Sequence, residues 1–173
     1  MIRAFPVPPT FLMLNSLTAD IQTLLRSITH KTAIIGVGNS LRGDDGVGPY
    51  IAEQLGRQTG LRVIDAGTVP ENYLDEVASF EPDLVIIFDA AEFRGHPGEV
   101  RIVDEHVIPL ATLSTHSIPL SVIYHLLEKD TEAAVIFVGV QPKQLDMQEG
   151  LSIEVKASSE EIINFILKEF KRA

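Results

Sequence analysis

The chain has 173 residues, 45% of them hydrophobic and 22% charged, with 24 acidic residues against 14 basic ones and a formal net charge of −10. That length gives one ordinary domain able to bury roughly 70% of the surface its unfolded chain exposes, and the composition excludes disorder as the default state. The negative field and scattered basic residues argue against nucleic acid as a partner, and the absence of cysteine excludes thiolate nucleophiles, disulfides and Cys-based metal sites while fitting a reducing, cytoplasmic setting.

Pro6, Pro8 and Pro9 interrupt the N-terminal lead, which is therefore not read as a signal peptide. No apolar run approaches the roughly 18–20 residues of a membrane span, so no membrane insertion is expected. Leu14, Leu17, Ile21, Leu24, Leu25 and Ile28 recur at helical spacing, with Ser16 or Thr18 as the cap. Residues 1–30 are thus expected to be an N-terminal extension with a helix, more readily packed on the core than mobile.

From Lys31 onward, short apolar runs alternate with helical patterns. Strands are expected at 32–37, 61–64, 84–88, 100–103 and 134–138, and helices at 49–57, 73–80, 118–128 and 160–170. Alternation of this kind predicts an α/β fold, a three-layer α/β/α sandwich around a mixed, mainly parallel five-stranded sheet. The segment from Ala90 to Gly98 is too short and turn-rich for a crossover helix, so the strand at 100–103 is expected to run antiparallel to its neighbour.

Ligand sites of α/β sheets lie beyond the carboxyl ends of the strands. After the first strand comes Gly36-Val37-Gly38-Asn39-Ser40-Leu41-Arg42-Gly43-Asp44-Asp45-Gly46-Val47-Gly48. A dinucleotide fingerprint would need its third glycine three residues after Gly38, and Asp44 and Asp45 would repel phosphate at a helix N-terminus. The same carboxylates attract a cation, although either alone would also serve as a helix cap. Asp89 closes an apolar strand, where a charge calls for a partner or a metal unless it merely forms a turn. His116 precedes a helix start with Ser117 as a plausible cap, a setting that keeps the imidazole neutral and able to ligate. Asp45, Asp89 and His116 suit a borderline divalent ion such as nickel or zinc.

The pattern Gly36-x-Gly38-Asn39-x-Leu41-x-x-Asp44-Asp45-Gly46-x-Gly48, followed in order by Asp65-x-Gly67-Thr68, Asp89-Ala90, Thr115-His116 and Gly139-Val140-Gln141-Pro142, resembles the [NiFe]-hydrogenase maturation endopeptidases. Val69-Pro70-Glu71-Asn72 and His116-Ser117-Ile118-Pro119-Leu120 are most similar to the branch that processes formate-hydrogenlyase-type, or energy-converting, hydrogenases. The likeness runs from about Lys31 to the C-terminus, making residues 31–173 a single α/β peptidase domain; the lead before it departs from the usual pattern. It implies a nickel-dependent protease that removes the C-terminal extension of a hydrogenase large-subunit precursor after nickel insertion. Metal contacts carry over to Asp45, Asp89 and His116, with Asp44 as a further catalytic candidate, and substrate contacts to Gly38, Asn39 and Gln141. The nickel would be carried by the precursor, with zinc or another divalent ion able to replace it in vitro. The alternative is a non-catalytic nickel-binding, metallochaperone-like module on the same fold.

Overall fold

In the computed structural model, which describes residues 17–58, 60–104 and 118–171, the apolar runs pair into one five-stranded sheet of order β2-β1-β3-β5-β4. The strands are β1 (Thr32–Val37), β2 (Arg62–Gly67), β3 (Leu84–Ala90), β4 (Val100–Val103) and β5 (Ala134–Val140). β1 pairs in parallel with β2 and β3, and β3 with β5. β4 runs antiparallel to β5 at the edge, as the short connection after β3 predicts. The expected mixed, mainly parallel sheet is therefore present.

Side chains alternate between the two faces of the strands. Ile34, Ile86, Phe88, Val138 and Val140 pack under α1 (Ala19–Arg26), α2 (Val47–Gly56) and α5 (Ile153–Phe170). Ala33, Ile35, Val85, Ile87 and Phe137 pack under α3 (Leu74–Phe80) and α4 (Leu120–Thr131). β1 is buried throughout, which is why its sequence is an unbroken apolar run rather than an alternating one.

The N-terminal helix docks on this core. Leu17, Ile21, Leu24, Leu25 and Ile28 are buried in the same cluster as α2 and α5. Arg26 stands over the Phe165 ring at 5.3 Å, and His30 meets Phe170 edge-on at 4.9 Å. Thr18 is the N-cap but makes no side-chain cap bond. An eight-residue helix is too short to persist alone, so apolar burial holds it. Leu14 and Ser16 lie outside the described residues.

Several boundaries differ from the sequence expectation. β2 and β3 continue to Gly67 and Ala90, so Asp65 and Asp89 are strand residues. α4 begins at Leu120 rather than at 118 because Pro119 is extended, with φ −57° and ψ 138°. α5 begins at Ile153, seven residues before the expected 160. Its polar Ser158 and Ser159, which blur the apolar pattern, bond to carbonyls: Ser158 Oγ donates to Gly98 O, and Ser159 Oγ to Val155 O at 2.7 Å. Among the described residues no helix is long and apolar enough to cross a membrane.

Candidate functional site

The chain leaves β1 for β2 on one side and later returns to β3 on the other. This reversal parts the connections at the carboxyl ends of β1 and β3, the place where α/β sheets open a ligand crevice. The Gly38–Gly48 loop and Asp89 both lie there.

The glycines of the loop serve contact between backbones. A Cβ on Gly48 would collide with the carbonyl oxygens of Val37 and Phe88, and one on Gly36 with the Gly48 carbonyl. The first turn of α2 therefore rests directly on β1 and β3. Gly46 packs against Ser40, where an added Cβ would lie 2.9 Å from the Ser40 Cα. The space beside Gly46 and Gly48 is filled by the protein's own strands and loop. Gly38 has φ 136° and lies against the Asp45 carbonyl, a conformation and an approach open only to glycine.

Asp44 and Asp45 are adjacent in a 3-10 turn, Gly43–Gly46, yet do different work. Neither caps α2, whose N-cap is Gly46 without a side-chain bond. Asp44 is fully buried. Its Oδ1 accepts from Ser152 N at 2.7 Å. Its Oδ2 accepts from Lys143 N at 2.8 Å, Gln144 N at 3.0 Å and Ser152 Oγ at 2.9 Å. Ser152 is the N-cap of α5 and accepts from Val155 N, so the Asp44 carboxylate stabilises the positive end of that helix. With both oxygens satisfied inside the protein, Asp44 is a clamp between the loop and the 143–152 segment. The sequence reading missed Ser152; its signal was a serine just ahead of an apolar helical run.

Asp45 and Asp89 come together. Each is 2% exposed. Asp45 Oδ2 accepts from Asn39 N at 3.3 Å. Asp89 Oδ1 accepts from Ala90 N at 2.8 Å and lies 3.4 Å from the Cβ position of Gly38. Both acids thus contact the Gly38–Asn39 segment and are buried rather than displayed to solvent. His116 lies outside the described residues, as does its proposed cap Ser117. Among the described residues no three His, Cys, Asp or Glu side chains form a metal-binding group.

The candidate substrate contacts divide. Asn39 is half-buried, and its Oδ1 accepts from Leu41 N at 3.0 Å, which sets the loop. Gln141 is 4% exposed and uses its whole carboxamide internally. Its Oε1 accepts from Phe93 N at 3.0 Å and Gly95 N at 3.1 Å, and its Nε2 donates to Glu92 Oε2 at 3.0 Å and Pro142 O at 3.3 Å. It holds the turn that follows Asp89 rather than facing a ligand. The Glu99 carboxyl at the end of that turn is held below the usual carboxylate range by the His96 backbone N–H and then by Arg101.

A protein-family model described as hydrogenase maturation protease matches residues 47–169. The chain is 37% identical over 112 residues to the hydrogenase 3 maturation protease of Escherichia coli K12, an alignment covering 63% of this chain and 71% of that one. The crystal structure of the [NiFe] hydrogenase maturation protease HycI from Thermococcus kodakarensis superposes with a TM-score of 0.76 at 31% identity, over 88% of this chain and 99% of that one. The solution structure of the endopeptidase HycI from Escherichia coli gives 0.69 at 32% identity, over 77% and 86% of the two chains. The three-layer fold, the buried acids at its strand reversal and these likenesses agree, and the chain belongs to the hydrogenase maturation protease family.

Proposed function

We propose that this maturation endopeptidase removes the C-terminal extension of a [NiFe]-hydrogenase large-subunit precursor once nickel is in place, with Asp45, Asp89 and His116 receiving the precursor's nickel centre. The observation that supports the reading is that two nearly fully buried carboxylates each contact the Gly38–Asn39 segment at the strand reversal. Carboxylate and imidazole donors suit a borderline divalent ion brought by the substrate. Occupancy of the crevice would then report that loading is complete.

The nickel is part of the substrate in this reading, and zinc or another divalent ion is its stand-in in vitro. Docking would orient the scissile peptide. Water adds to its carbonyl carbon, a crevice carboxylate accepts the proton, and the amide nitrogen leaves protonated. In this reading the Asn39 NH2 group would hold a substrate carbonyl. Asp44 and Gln141 act at one remove, by fixing the loop and the turn that carry the two acids. The 37% identity to a hydrogenase 3 maturation protease supports the formate-hydrogenlyase-type branch, and a chain without cysteine supports a cytoplasmic site of action.

The test is to incubate the protein with nickel-loaded and nickel-free precursor and to follow the precursor's C-terminal mass. Loss of the extension from the loaded form alone supports the reading; equal cleavage of both forms removes the role of nickel.

A further inference from the structure

We propose that Gln141 and Pro142 are positioning residues for the cleavage reaction: the stretch they form ties the backbone around Asp89 to the backbone around Asp45 and so fixes the two acids relative to one another. The inference rests on the function proposed above and names the part of the chain that sets its geometry.

The Asp89 end of the tie is built first. Asp89 pairs with Gly139 and Ala90 with Val140 in the parallel ladder, and Ala91 N donates to Val140 O at 3.0 Å. A Cβ on Gly139 would lie 2.6 Å from the Ala91 Cβ, so β5 packs tightly against the residue two places after Asp89. Gln141 then closes the following turn with its backbone as well as its side chain. Its N donates to Glu99 O and its O accepts from Gly98 N, each at 2.8 Å, while its carboxamide holds the Phe93 and Gly95 amides and the Glu92 carboxylate. Arg94 in this turn has φ 57°, a conformation unfavourable for a residue with a side chain, so the turn needs such a brace.

The Asp45 end follows at once. Lys143 N and Gln144 N donate to Asp44 Oδ2 at 2.8 and 3.0 Å, and Asp44 N donates back to Gln144 O at 3.0 Å. Residue 141 is therefore committed to the turn after Asp89 and residue 143 to the loop of Asp45, with only Pro142 between them. Two residues span about 7 Å at most, and the proline ring holds φ at about −65°. Gln141 and Pro142 are both buried. Coupling passes along contiguous hydrogen-bonded segments of this kind, and a link this short has no slack in which to absorb a displacement.

The experiment compares the full chain with Gln141→Met, which keeps the approximate shape of the side chain and removes its hydrogen bonds, and with Pro142→Gly, which keeps Gln141 and frees φ. Amide hydrogen exchange is read on the protein alone. In Gln141→Met the Phe93 and Gly95 amides lose their acceptor directly. The Asn39, Asp44 and Gln144 amides keep theirs, and exchange faster only if the displacement crosses residue 142. Their exchange should rise about tenfold or more in both variants, while the core amides of Ile34 and Ile86 stay within about twofold. With nickel-loaded precursor, kcat should fall about tenfold or more at a KM within about twofold of the unsubstituted protein. A rise confined to residues 93 and 95 would overturn the proposal. So would an equal rise in the core amides, which marks a role in stability alone, or an unchanged kcat in both variants. If the unsubstituted protein leaves the loaded precursor whole, the endopeptidase reading falls, and the exchange pattern still decides whether the two backbones are tied through Gln141 and Pro142.

Discussion

The Asp44 carboxylate accepts a hydrogen bond from the backbone amide of Ser152 at 2.7 Å across 108 residues of sequence. The same carboxylate takes three further hydrogen bonds, two from the Lys143 and Gln144 amides and one from the Ser152 hydroxyl. The loop that places Asp45 in the crevice is thereby locked to the start of α5. Asp44→Ala would leave buried donors without an acceptor, each costing about 1–3 kcal/mol. We expect a loss of about 3 kcal/mol or more in urea unfolding, and cleavage reduced through misplacement of Asp45.

Asp45 and Asp89 should behave in the opposite way. Both are buried, so the near-isosteric Asp45→Asn and Asp89→Asn are the informative changes, since alanine would also leave a void. Cleavage should fall by about 100-fold or more, while the melting temperature falls less than it does for Asp44→Ala. His116→Ala is expected to lose cleavage to the same degree. Circular dichroism melts beside a precursor-processing assay separate this pattern from that of Asp44.

Helix α2 rests on the strands through glycine. Gly48→Ala drives a methyl group into the Val37 and Phe88 carbonyls, which are strand backbone and cannot yield. A destabilisation of about 2–3 kcal/mol is expected. Gly60→Ala is the control, because nothing lies within 4 Å of its Cβ position. Denaturant midpoints for the two variants check the contrast.

The sheet was legible because strands covered on both faces must be apolar throughout, as in Thr32–Val37. Asp89 was legible as a charge closing such a run. Asp44 and Asp45 were not separable from local sequence, because what divides their roles is Ser152, Lys143 and Gln144, far along the chain. Gln141 sits in a block resembling the family's pattern, but only the fold reveals that its carboxamide is consumed by the turn after Asp89. The start of α5 was hidden because Ser158 and Ser159, buried polar residues, replace the apolar residues that periodicity looks for.

Acid should loosen the frame around the crevice before it reaches the core. Lys143 bonds Glu154 at 2.6 Å and holds its carboxyl below the ordinary carboxylate range; the His96 amide, then Arg101, do the same for Glu99. A carboxyl whose value is lower in the folded state than in the unfolded state stabilises above the unfolded value, and that contribution disappears as the pH falls through the folded one. Both pairs are partly solvent-exposed, so the effect is small. Urea midpoints measured from about pH 7 to about pH 3 should decline less steeply in Glu154→Gln than in the unsubstituted protein.

The N-terminal helix adds stability to the core shared with α2 and α5. Leu25 is 1% exposed in the cluster shared with α5, and Leu25→Ala should cost about 3 kcal/mol while leaving cleavage by the remaining folded protein intact. Paired unfolding and activity measurements check both parts.

The most direct test of the nickel-reading crevice is the mass of the precursor's C-terminus after incubation with the unsubstituted, Asp45→Asn and Asp89→Asn proteins, each with and without nickel in the precursor. Shortening by the unsubstituted protein alone, and only of the loaded precursor, is the predicted result. Shortening by either variant at an undiminished rate would contradict the assignment of these two buried acids.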